Sequence, residues 1–107
     1  MKAYVADFNN ILRDLKSMVN LEPDPRKADV IILWQDVRGA YSEIARINSL
    51  YDKKPVIVVQ HGRGAMRDYN EPNNFPMHAD KVCVWGEKEI SYLPDKYKDI
   101  SIVTGKR

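Results

Sequence analysis

Val30-Ile31-Ile32-Leu33-Trp34, Val56-Ile57-Val58-Val59 and Val82-Cys83-Val84-Trp85 are three short, apolar, largely β-branched runs bounded by polar turns. A strand with one wet face alternates apolar and polar side chains. A run that is apolar at every position belongs to a strand covered on both faces, as in a parallel sheet. A fourth run, Ile100-Ser101-Ile102-Val103, is interrupted by a serine and suits a sheet edge. Ala3-Tyr4-Val5-Ala6 reads either as a fifth strand or as the start of the first helix.

Between these runs the apolar period becomes helical. Phe8, Ile11, Leu12, Leu15, Met18 and Val19 follow a three-then-four spacing behind Asp7, a natural N-cap, and Pro23 and Pro25 then stop the helix. Tyr41, Ile44, Ile47 (or Asn48) and Tyr51 form a second stripe, widened by Ala40, Ala45 and Leu50. Asp36 is its expected cap, and Lys53-Lys54 before Pro55 complement the helix dipole. A short third helix is expected from Glu87 to Leu93, closed by Pro94. Strands joined by helices pair in parallel through right-handed crossovers. The expected fold is therefore α/β, a three-layer α/β/α, doubly wound parallel sheet of four to five strands.

A length of 107 residues allows one domain, spanning 1–107, and 44% apolar with 30% charged residues is the composition of a globular one. Seventeen basic side chains face fifteen acidic ones, and neither half is polarised: nine against eight in residues 1–60, eight against seven in 61–107. A net charge of +2 spread so evenly makes no basic field for nucleic acid or an anionic membrane. The apolar runs are far shorter than a bilayer span, and the N-terminus lacks a signal-peptide core, so a cytoplasmic protein with no integral membrane segment is expected. The lone Cys83 excludes an internal disulfide and a CxxC-type zinc site, and the two histidines are expected at opposite sheet edges, so no metal site is expected.

Ligands of an open parallel sheet bind outside the carboxyl ends of its strands. Those ends are Trp34-Gln35-Asp36, Gln60-His61-Gly62-Arg63-Gly64 and Trp85-Gly86-Glu87. The second carries the most chemistry. His61 directly follows a strand, Gly62 and Gly64 allow close backbone approach, and Arg63 and Arg67 suit a phosphate or carboxylate. The stretch from His61 to Pro76 is also long for a connecting loop in a compact domain. The plainer readings stand beside these. His61 could simply bond a backbone carbonyl, and Arg63 and Arg67 could pair with Asp68 and Glu71 on a wet surface. His78, before Ala79-Asp80 at the start of a strand, reads as structural, and Cys83 as an inert core thiol. Trp34 and Trp85 read as packing residues, Tyr41 and Tyr51 as core. GxxxxGK[ST], GxGxxG after a strand and GxSxG are all missing from the sequence.

Lys54-Pro55-Val56-Ile57-Val58-Val59-Gln60-His61-Gly62, Ala79-Asp80-Lys81-Val82-Cys83-Val84-Trp85-Gly86-Glu87 and Ile102-Val103-Thr104-Gly105 follow one another in order. Together they resemble the later part of the N-terminal, acceptor-side domain of GT-B-type transferases. The nearest resemblance is to the CDP-glycerol glycerophosphotransferases and the UDP-N-acetylglucosamine 2-epimerase-like glycosyltransferases. It covers residues 54–105, about half the chain. The resemblance implies a Rossmann-like half lining an interdomain cleft, with His61 as general base on an acceptor hydroxyl. A histidine's ordinary pKa of about 6.5 suits that task. Gly62, Arg63, Gly64, Arg67, Trp85, Gly86 and Glu87 would border the substrate. No cofactor is expected on this half; the donor, a nucleotide-sugar or CDP-glycerol, would sit on a second domain or subunit. The sequence stops at Lys106-Arg107, where that domain should begin, and the proline that usually follows the VTG piece is missing.

Three functions follow in order of preference. One is a glycosyl or glycerophosphate transferase half acting on a small-molecule or polymer acceptor and needing a donor-binding partner. Another is a non-catalytic module binding an anionic ligand or a protein. The weakest is a small hydrolase or other enzyme using His61 alone. A transferase half should expose an apolar face near Thr104-Gly105, whereas a complete module should be polar there.

Overall fold

The computed structural model describes residues 1–5, 20–33, 39–60 and 78–104. The stripe at 8–19, Trp34, Asp36, the loop from His61 to Pro76 and Gly105 lie outside these residues. The elements in chain order are β1 (Lys2–Val5), β2 (Asn20–Leu21), a 3-10 turn (Pro25–Lys27), β3 (Val30–Leu33), α1 (Gly39–Leu50), β4 (Val56–Val59), β5 (Lys81–Val84), α2 (Glu87–Ile90), α3 (Asp95–Lys98) and β6 (Ser101–Val103). The six strands form one sheet in the order β2-β1-β3-β4-β5-β6. Every neighbouring pair is parallel. This is an α/β protein built on a parallel sheet.

The structure adds a strand to the number expected. Lys2–Val5 is a strand rather than a helix start, and Asn20–Leu21 pairs with Lys2–Ala3 as a sixth strand. Two residues carry too little pattern to be read as a strand; β2 exists because β1 offers it unpaired backbone groups. The serine-interrupted run does lie at an edge, as β6.

Strand register sorts the core into two clusters, one on each face. Ile31, Leu33, Val56, Val58, Val82 and Val84 share one face with Ala45 of α1 and with Leu93 and Tyr97 near the C-terminus. Ala3, Val5, Val30 and Ile32 form the other cluster, flanked by Ile57 and Val59. Each fully buried valine or leucine contributes about 1.5–3 kcal/mol of transfer free energy, so the apolar runs themselves hold the sheet together. Every described helical residue in these clusters packs on the first face.

Three local expectations change. Pro94 does not simply end a helix over 87–93; it stands at the N-cap of a second one, α3. The first helix, α2, already ends at Ile90 rather than Leu93, and a proline, having no N–H to donate, opens α3 at no further cost. That second helix delivers Tyr97 into the core, where it is fully buried and its hydroxyl accepts the Ala79 N–H at 2.8 Å. Tyr51 follows the last helical residue and is 70% exposed, so it is not a core residue. At the end of α1 the inward position belongs to Asn48, and Ile47 turns partly to solvent. The Asn48 amide donates to the Lys54 carbonyl at 2.8 Å and accepts the Lys54 N–H at 3.1 Å, so its burial leaves those groups satisfied.

A repeated device sets two strand starts. Asp29, just before β3, accepts the Lys2 N–H on its carboxylate at 2.9 Å and donates its own N–H to the Lys2 carbonyl at 2.8 Å. Asp80, just before β5, makes the same pair of bonds with Val56, both at 2.8 Å. In each case a buried alanine, Ala28 or Ala79, precedes the aspartate. The Ala-Asp dipeptide therefore fixes the register of the strand that follows it against its neighbour, which explains the Ala79-Asp80 part of the quoted motif without any chemistry.

Candidate functional site

Val59 pairs with Cys83 and Val84 with Val103, so β4, β5 and β6 end together at one edge of the sheet. Hydrogen bonds extend that alignment by one residue beyond each strand. The Gln60 N–H donates to the Cys83 carbonyl at 2.9 Å, and the Gln60 side-chain oxygen accepts the Trp85 N–H at 2.8 Å. Thr104 donates its N–H to the Val84 carbonyl at 2.8 Å and its hydroxyl to the same oxygen at 3.2 Å. The three motif fragments, far apart in sequence, thus converge at Gln60, Trp85 and Thr104.

Gln60 is the residue that sequence reasoning missed. It is completely buried, a costly place for an amide unless its groups are bonded. Its position gives the only sequence signal, a polar residue directly after an apolar run and directly before His61. By holding the Trp85 backbone, it fixes the start of the Trp85-Gly86-Glu87 turn relative to the end of β4.

The remaining expected site residues divide. His61, Gly62, Arg63, Gly64 and Arg67 lie outside the described residues. Trp85 is half-buried, and Glu87 is exposed in the first turn of α2, where a carboxylate complements the helix dipole. Gly86 is the N-cap of α2 in an extended conformation with φ −160°, which any residue adopts. Among the described residues a side chain built there would meet nothing within 4 Å, so their packing does not demand glycine. One turn into α2, one carboxylate oxygen of Glu89 is buried and accepts no hydrogen bond among the described residues.

Cys83 sits mid-strand on the face opposite Val82 and Val84 and is half-buried rather than deep in the core. Burial pushes its thiol pKa up, which favours the protonated form over the thiolate nucleophile. His78 lines a polar pocket of about 210 Å³ with Lys53, Lys54 and Asp80, at the edge where β4 and β5 begin. That is the edge opposite Trp85, where the sequence reading places it. No group of histidine, cysteine or carboxylate side chains suited to a metal ion occurs among the described residues. Nor is any described helix long and apolar enough to cross a membrane.

Compared with known proteins, the chain matches no family model, no curated protein and no solved structure. The class defined by fold and site is a parallel-sheet α/β domain whose strand-end residues from β4, β5 and β6 are tied into one rim.

Proposed function

We propose that the chain is the acceptor-side half of a GT-B-type glycosyl or glycerophosphate transferase, with His61 as general base. The observation that carries the reading is the rim itself: Gln60, Trp85 and Thr104 lie side by side at the carboxyl ends of three adjacent parallel strands. His61 follows Gln60 in the chain, and among the described residues the space at Gly86 is open to an acceptor. A second observation favours a half over a self-contained module. Ile102 and Val103, each 45% exposed, present apolar surface directly before Thr104, as a docking half requires.

The fold on this reading is three-layered and doubly wound, hence Rossmann-like. The sheet order begins 2-1-3-4-5, one of the two common doubly wound orders. In the reaction His61 takes the proton of an acceptor hydroxyl as that oxygen bonds to the transferred glycerophosphate or sugar, whose bond to the nucleotide breaks, the nucleotide leaving with the electron pair. The donor, CDP-glycerol or a nucleotide-sugar, is held by the second domain or subunit, since one wall alone neither orients both reactants nor excludes water.

The competing reading is a binding module without catalysis, and the position of the order reversal favours it. That reversal lies between β1 and β3, one strand away from β4, and ligands of such sheets bind at the reversal. Two measurements separate the readings. With its donor-binding partner present, the His61→Ala protein should lose transfer by about 10²–10⁴-fold, the usual contribution of a general base. In the isolated chain, glycerol 3-phosphate should move the amide resonances of Trp85 and Gly86, while CDP and UDP should not. Retained transfer in the variant, or tight CDP or UDP binding by the chain alone, would contradict the transferase reading.

A further inference from the structure

We infer that the opposite edge of the sheet carries a binding site for a small, uncharged aromatic molecule of about one or two rings. The site is a half-open cavity of about 260 Å³ between the Pro25–Lys27 turn, β3 and the last turns of α1. Its walls are apolar, contributed by Pro25, Ile31, Ile44 and Ile47. A closed apolar cavity of roughly 150 Å³ takes up benzene in preference to water, so a larger one with comparable walls accommodates an indole-sized body. Ile47, which lines it, is 37% exposed and gives the ligand a way in.

The rim decides the charge of the occupant. Arg26 and Asp52 both line the cavity and pair with each other at 3.2 Å, fastening the turn to the end of α1. Asp24 also reaches the rim, but its carboxylate accepts the Arg26 N–H at 2.9 Å. The Lys54 ammonium is directed at the Arg26 carbonyl, and the Asn48 amide is committed to the Lys54 backbone. The exposed wall is almost wholly apolar, and the charged residues that line it, Asp24, Arg26 and Asp52, bond within the protein, so the cavity presents no charge to either an anion or a cation. Affinity then comes from apolar area, which a flat aromatic ring supplies at little cost in conformational freedom. The site is remote from the Gln60–Trp85 rim and independent of the transferase reading.

The test uses indole as probe on the whole 107-residue chain, followed through isoleucine methyl resonances. Saturable shifts are expected at Ile31, Ile44 and Ile47, with Trp85 and Gly86 unmoved. Ile47→Trp, at a position already open to solvent, places an indole of its own in the cavity. It should weaken binding at least tenfold while unfolding at or above the wild-type temperature. Ile44→Phe fills the cavity from the buried side and should do the same. Phenylacetate and phenethylammonium should each bind more weakly than indole. Failure of indole to saturate, undiminished binding in a folded Ile47→Trp protein, or tighter binding of either ion would overturn the assignment.

Discussion

Replacing Gln60 by leucine tests the tie that makes β4 and β5 end as one rim. Leucine has nearly the volume of glutamine but offers no acceptor, so the part-buried Trp85 N–H loses the oxygen now 2.8 Å away. A buried donor stranded in this way costs about 1–3 kcal/mol, and a leucine in that fully buried position recovers part of it. The backbone bond from Gln60 to the Cys83 carbonyl survives, so the strands stay paired and the damage is local. A net loss of about 1–2 kcal/mol lowers the melting temperature by roughly 5–10 °C in a domain of this size. Urea unfolding followed by circular dichroism reads the global loss. Amide hydrogen exchange at Trp85 reads the local one, and should accelerate about 5- to 150-fold if opening is easier by about 1–3 kcal/mol. A variant with the wild-type urea midpoint and unchanged Trp85 exchange would refute the claim that this side chain aligns the two strand ends.

Three further substitutions probe the frame. Lys53 stands just beyond α1 with φ +51°, a left-handed conformation that costs a side-chain-bearing residue about 1–2 kcal/mol, so Lys53→Gly should raise the urea midpoint by a net amount of about 0.5–1 kcal/mol. An unchanged or lower midpoint would argue against strain there. Tyr97→Phe removes the hydroxyl that accepts the Ala79 N–H and should cost about 1–3 kcal/mol by the same denaturation assay, with faster exchange at Ala79. Asp80→Ala deletes the carboxylate that holds the Val56 N–H and should cost about 1–2 kcal/mol, with Asp29→Ala behaving alike at the Lys2 contact. If Asp80→Asn, which keeps one side-chain oxygen, is no more stable than Asp80→Ala, the register role of the Ala-Asp pair fails.

The candidate site was only partly legible before folding. Trp85, Gly86 and Glu87 stand where a strand-end reading puts them, because an apolar run followed by a glycine marks its own end. Gln60 and Thr104 carried no role of their own in that reading. Their roles depend on partners 25 and 20 residues away, and nothing in either local sequence names those partners. Glu89 is in the same position: its burial follows from packing around α2 and not from its neighbours in the chain.

What the sequence determined by itself is local. β-Branched runs apolar at every position cannot leave a face in water, so they specify strands of a covered parallel sheet, and the three-four spacing from Tyr41 onward specifies a helix between two of them. Tertiary structure decided whatever needed distant residues to meet. It recruited Asn20–Leu21 as a strand, placed the order reversal between β1 and β3, and chose Asn48 over Ile47 for the interior. It also turned Pro94 from a terminator into the first residue of the cap that buries Tyr97. Each of these choices turns on satisfying backbone N–H and C=O groups across the fold, and such groups are the same at every position in the chain until a partner is brought beside them.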